Sequence, residues 1–213
     1  MDEVEALELV QRSVLADPAC VSVLDALREV RLPDAWLCAG AVFQNVWNRL
    51  SGFPAGAGIR DYDVFYFDRA NLGWDAEDAA IDSVTAAVRD PGIEVEVRNQ
   101  ARVHLWYPER FGKTIPPYVD SADAIASFAA FACSVGVRFA EAGASADAVA
   151  AGAGPGVPPT APARALEICA PFGWGDTVDM VLRPNHRLAP REVYEAKAAA
   201  YAERWPRLRV EPW

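Results

Sequence analysis

The chain has 213 residues, enough for one sizeable domain or a domain with a small appendage. A hydrophobic fraction of 52% and a mean hydropathy of +0.02 exclude a disordered polymer and suit a packed α/β core, although much of the apolar fraction is alanine. The formal charge of −10 and a pI near 4.7 argue against a large DNA or RNA footprint, since long nucleic acids are held by basic patches that release counterions. A single nucleotide bridged through cations stays compatible with this charge.

In chain order, Val4, Leu7, Val10 and Val14, then Val21, Leu24 and Leu27, follow helical spacing broken at Pro18, which predicts a helical segment over 1–30. The opening Met1-Asp-Glu-Val-Glu5 lacks the basic-then-apolar pattern of a secretory signal. No run of about 18 apolar residues is present, so no membrane span is expected and the predicted compartment is the cytoplasm. Ala35 to Ala39 reads as a buried strand ended by Gly40, after which Val42, Val46 and Leu50 resume helical spacing. Ser51 to Gly58, with three glycines and a proline, is a loop.

Asp61 to Asp68 is rich in β-branched and aromatic residues and predicts a strand. Asp75 reads as the N-cap of a helix carrying Ile81, Val84 and Val88, and Trp74 to Glu77 as its start. Ile93 to Val97 alternates and predicts a second strand; Asn99 to Tyr107 fits either a continuing strand or a short helix. Ser121 is the expected cap of a helix through about Ala132. Residues 141–163 are almost wholly small or turn-forming and predict a flexible insertion. Leu166 to Cys169 and Val178 to Leu182 read as short strands, and Pro190 to about Arg204 as a last helix. Helices alternating with strands predict an α/β (α+β) domain, a mixed central sheet flanked by helices. Cys20, Cys38, Cys133 and Cys169 form no Cys-x-x-Cys pair and read as small core hydrophobes.

Asp61 and Asp63 stand two apart on a predicted strand, so both carboxylates leave one face. Like charges that close repel unless a cation sits between them, and carboxylate oxygens suit a hard metal such as magnesium. Glu94 and Glu96 alternate on the next predicted strand, and a third carboxylate there would complete a two-metal clamp for displacement at phosphorus. Upstream, the turn at Gly40-Ala41 opens a helix and brings backbone N–H groups towards an anion.

The residues Ala39-Gly-Ala-Val-Phe-Gln-Asn-Val-Trp47, Arg60-Asp-Tyr-Asp-Val-Phe-Tyr-Phe-Asp68 and Val97-Arg-Asn-Gln-Ala-Arg-Val-His-Leu-Trp-Tyr107 carry a resemblance. Val135-Gly-Val-Arg138, Ala170-Pro-Phe-Gly173 and Leu182-Arg-Pro-Asn185 add to it. The chain resembles the DNA polymerase β-like nucleotidyltransferase superfamily, and more closely its bacterial nucleotidyltransferase-like family, formerly a domain of unknown function. The resemblance covers roughly residues 30 to 210 and implies a single domain with a polymerase β-like core. It implies that Asp61, Asp63 and Glu96 are catalytic and hold magnesium or manganese, with Glu94 the alternative third carboxylate. It implies that Gly40 and Ala41 lie beside the triphosphate, although Ala41 lacks the hydroxyl that the superfamily's turn usually supplies. The implied activity moves a nucleotidyl group from a nucleoside triphosphate to a small-molecule or protein acceptor. The rival is a non-catalytic nucleotide-binding or partner-binding module on the same fold.

Arg60, Arg98 and Arg102 carry guanidinium forks that match phosphate oxygens, with a flanking surface charge the other reading of Arg60. Asn99 and Gln100 would read a base edge or cap a turn, His104 would act as a base or as a hydrogen-bonded structural residue, and Trp106 and Tyr107 would stack a base or fill the core. Asp68, an odd number of residues from Asp63, projects to the other face as a turn or cap residue.

Overall fold

A computed structural model describes residues 2–140 and 164–213; the predicted insertion at 141–163 lies outside the described residues. Two helices open the chain, α1 (Glu3–Leu15) and α2 (Pro18–Val30). The first starts with a capping box between Asp2 and Glu5, and the second is capped by Asp17 with Pro18 at the first helical position. Strand β1 (Trp36–Cys38) leads into α3 (Gly40–Ser51), then come β2 (Tyr62–Tyr66), α4 (Trp74–Ala87) and β3 (Val95–Asn99). A 3-10 turn over Gln100–Arg102 joins β3 to α5 (Val103–Phe111), which resolves the ambiguous stretch in favour of a helix.

The remaining elements are α6 (Ser121–Ile125), β4 (Gly136–Phe139), β5 (Leu166–Cys169), α7 (Gly175–Val178), β6 (Val181–Leu182), α8 (Arg191–Arg204) and β7 (Arg209–Val210). Two expected caps move. Gly73 precedes α4, leaving Asp75 in its first turn, and Asp120 caps α6 through a bond from Asp123 N–H at 2.7 Å. Ser121 is instead tied to Asp34, and α6 ends at Ile125, short of the expected Ala132. The strand expected from Val178 is shorter because α7 occupies its start.

The five-stranded sheet runs β3-β2-β1-β4-β5, with β2 and β3 parallel and every other neighbour antiparallel. The parallel pair requires a crossover, and α4 supplies it. On β2, Tyr62, Val64 and Tyr66 face the core, while Asp63 and Phe65 take the opposite face. All four cysteines are buried and free, as expected of small core hydrophobes.

An aromatic cluster fixes the last helix. Phe43 and Trp47 of α3 meet Tyr201 of α8 and Trp205 just beyond it, with ring centroids 4.7 to 5.9 Å apart. Trp205 Nε1 donates to Asn48 at 3.2 Å, and Trp47 Nε1 to the Thr177 carbonyl at 2.8 Å. Among the described residues no helix is long and apolar enough to cross a membrane.

Candidate active site

A pocket opens where α3, the start of β2 and α8 meet. Ala39, Gly40, Phe43 and Gln44 line one side, Asp61 and Asp63 the sheet, and Phe128 to Ala130 with Cys133 the roof. Leu182, Tyr194, Lys197 and Tyr201 close it from the C-terminal region. Phe128 is held there by stacking on Phe65, at 5.3 Å between centroids.

The parallel register sets Asp63 directly opposite Glu96, and Asp61 lies two positions before Asp63 on the same face. Three carboxylates therefore share one edge of the sheet. Burial first, then the charges of Asp61 and Glu96, push the Asp63 carboxyl up to about 7 against an ordinary 3.8. Lys197 and Arg98 pull it part of the way back. The register makes Glu96 the cross-strand partner of Asp63, while the Glu94 backbone carbonyl accepts from Tyr62 N–H at 2.9 Å. The carboxylates are not drawn into a finished coordination sphere. Glu96 leans on Arg98 at 3.1 Å, and among the described residues no group of three or more His, Cys, Asp or Glu side chains is gathered for a metal.

The turn beside these acids has an unusual backbone. Ala39 sits at φ 48 and ψ −116, a conformation glycine adopts at little cost and alanine does not. Its N–H is tied to the Val135 carbonyl at 2.9 Å, and its own carbonyl starts α3 by accepting from Val42 and Phe43. The N–H groups of Gly40 and Ala41 are left without an acceptor among the described residues, as the first turn of a helix leaves them. Ala41's side chain is fully buried and its carbonyl accepts from Asn45 at 2.8 Å. A hydroxyl at position 41 would therefore face the core, and of this turn Ala39 and Gly40 line the pocket.

The expected arginines divide. Arg98 shares the acidic face, already committed to Glu96. Arg60 is exposed beside Asp61 and forms no ion pair among the described residues. Arg102 is corrected out of the site: it lies beyond the far end of β3, buried in an ion pair with Glu77, its Nε donating to the Leu72 carbonyl at 2.8 Å and its guanidinium 4.0 Å from the Trp74 ring. Asn99 is likewise a latch. Its side chain bonds the backbones of Asp68, Asn71 and Ala101 at 2.9 to 3.2 Å, and its N–H donates to Glu77 at 2.8 Å. Asp68 is a turn residue as expected, accepting from Ala70 N–H and the Asn71 amide. Trp106 and Tyr107 pack with Phe111 around a small second core, away from the acids.

Lys197, Tyr194 and Tyr201 were not foreseen in the pocket. Their spacing of three and four residues is a helical stripe visible in the sequence, but what it faces is decided by the aromatic cluster that docks α8.

Against known proteins, a family model described as "Nucleotidyltransferase" matches residues 25–210. No curated protein matches the chain. One solved structure, described as an NMR structure revealing a CCA-adding enzyme head domain, aligns with a TM-score of 0.68 at 22% identity, covering 100% of this chain and 97% of that one. At that identity the likeness is one of fold. With its fold matched and most of its length within the family model, the chain belongs to this nucleotidyltransferase family.

Proposed function

We propose that this protein is a metal-dependent enzyme that transfers a nucleotidyl group from a nucleoside triphosphate to a small-molecule or protein acceptor in the cytoplasm. The observation that carries the reading is Asp63 paired across the parallel strands with Glu96 and flanked by Asp61; burial and then these two charges push its carboxyl up to about 7. Three hard oxygen donors on one face, with a repulsion that a cation would relieve, fit magnesium or manganese. Asp61, Asp63 and Glu96 are the residues that would hold it. A bound ion supplies charge neutralisation at the transferring phosphorus.

The chain's own groups do the rest. The Gly40 N–H and the Lys197 ammonium bind phosphate oxygens at the pocket, with Arg98 in reach on the same face. The acceptor's oxygen bonds to the α-phosphorus as the bond to pyrophosphate breaks. Glu96, once released from Arg98, takes the acceptor's proton. Isothermal titration of nucleoside triphosphates, with and without magnesium, tests the site: binding that needs magnesium and vanishes in Asp63→Ala supports it, and absence of binding by the wild type refutes it.

The Glu96–Arg98 ion pair favours a second reading, a module that binds nucleotide without turnover, because it neutralises the residue assigned the proton. Pyrophosphate release over candidate acceptors separates the two, since a sensor binds and releases nothing.

A further inference from the structure

Gln44 lines the pocket one helical turn beyond Gly40. Its Oε1 accepts from Arg204 Nη1 at 3.2 Å. A guanidinium only donates, so the amide oxygen must face Arg204 and the amino group must face away from it. Arg204 has little freedom to change this. It also donates to the Gly58 carbonyl at 2.9 Å, to the Ala57 carbonyl and to Asn48 at 3.3 Å, and its guanidinium lies 4.4 Å from the Trp205 ring.

The amino group so oriented lies over Gly40, where an added Cβ would stand 2.8 Å from Nε2. Gly40 begins α3 and is not among the residues with positive φ, so its missing side chain provides space rather than backbone freedom. Nε2 has no acceptor among the described residues. It stands beside Gly40, whose N–H is unpaired among the described residues, and Lys197 lines the same pocket.

We propose that Gln44 binds the nucleotide's phosphates, its amino group donating to a phosphate oxygen at the start of α3, and that Arg204 is a positioning residue that fixes that amide's orientation. The inference rests on the nucleotide-binding reading above. It adds to the acidic edge a neutral donor held in one orientation, a phosphate contact that involves no metal ligand.

The decisive variant is Gln44→Glu. Its carboxylate still accepts from Arg204, so a Gln44 that merely bridged α3 to α8 would be preserved or strengthened. Where the amino group stood, it now presents a negative oxygen to the phosphate. Titrations would use ATP, GTP, CTP and UTP with magnesium, together with the matching nucleosides, on wild type, Gln44→Glu, Gln44→Leu, Arg204→Lys and Asp63→Ala, each with a thermal melt. The expected result is a Kd for the bound triphosphate at least about tenfold weaker in Gln44→Glu at an unchanged melting temperature, given the strength of hydrogen bonds to charged groups. Gln44→Leu weakens binding less, Arg204→Lys weakens it least because its remaining donor still orients the amide, and nucleoside binding stays as it was. Triphosphate affinity in Gln44→Glu within twofold of wild type, while Asp63→Ala abolishes binding, overturns the role of Gln44 and leaves the nucleotide site standing. An equal loss for nucleosides overturns the phosphate assignment. A wild type that binds no triphosphate overturns both this proposal and the reading beneath it.

Discussion

The two ends of the β2–β3 pair handle charge in opposite ways. At the C-terminal end, Glu77 accepts from both Arg102 and the Asn99 N–H, Arg102 also reaches the Leu72 carbonyl, and Asn99 spends its side-chain amide on the backbone of the turn after β2. Every strong donor meets an acceptor there, under the Trp74 ring. At the N-terminal end, Asp61 and Glu96 confront Asp63, and Lys197 and Arg98 offset them in part. The same two strands thus carry a closed polar network at one end and an open electrostatic deficit at the other. A closed network serves rigidity, because its removal is expensive; an open one serves binding, because a cation or a cationic complex lowers its energy.

The sharpest way to break this contrast is at the closed end. Glu77→Gln leaves Arg102 buried without its counter-charge, and urea denaturation is expected to show a loss of about 3–5 kcal/mol with nucleotide affinity unchanged in the folded fraction. A loss below about 1 kcal/mol would mean that the pair contributes little rigidity.

At the open end the sign reverses. Asp63 ionises near its ordinary 3.8 in the unfolded chain and at about 7 in the fold, so the folded state holds the proton more tightly. That preference favours folding below pH 4 and is lost progressively as pH rises to about 7. In metal-free buffer Asp63→Asn is therefore expected to raise the melting temperature relative to wild type, by a margin that grows from pH 4 to 7 and levels off above. Added magnesium should shrink the margin. A pH-independent difference would show that the carboxylates do not confront one another. The smallest effect belongs to the turn: Ala39→Gly relieves a positive φ and is expected to add about 1 kcal/mol, read from the denaturation midpoint.

The order of elements was legible because period-two runs such as Asp61 to Asp68 and helical spacing at the N-terminus are local signals. The pairing of Asp61 with Asp63 followed from strand alternation alone. The placing of Glu96 opposite Asp63 did not, since it depends on the register between strands joined by a whole crossover helix. Arg102 was misplaced because a buried ion pair with a residue 25 positions earlier leaves no periodic trace. The turn chemistry was half legible. The glycine at position 40 signalled a tight approach, but the strained residue is its neighbour Ala39, and the close approach is made by the Gln44 amide. Lys197, Gln44 and Arg204 owe their place to aromatic packing across more than 150 residues of chain, between Trp47 or Asn48 and Trp205, which no local pattern encodes.

The antiparallel ladder between β4 and β5 extends to Phe139 opposite Leu166, and beyond it the Ala140 N–H donates to the Ala165 carbonyl at 2.9 Å. Residues 140 and 165 are therefore already at hairpin distance. That makes the junction a grafting port: a two-residue Asn-Gly turn in place of 141–164 matches the 140–165 pairing, and the acidic edge, whose described pocket walls lie on other elements, should not register the exchange.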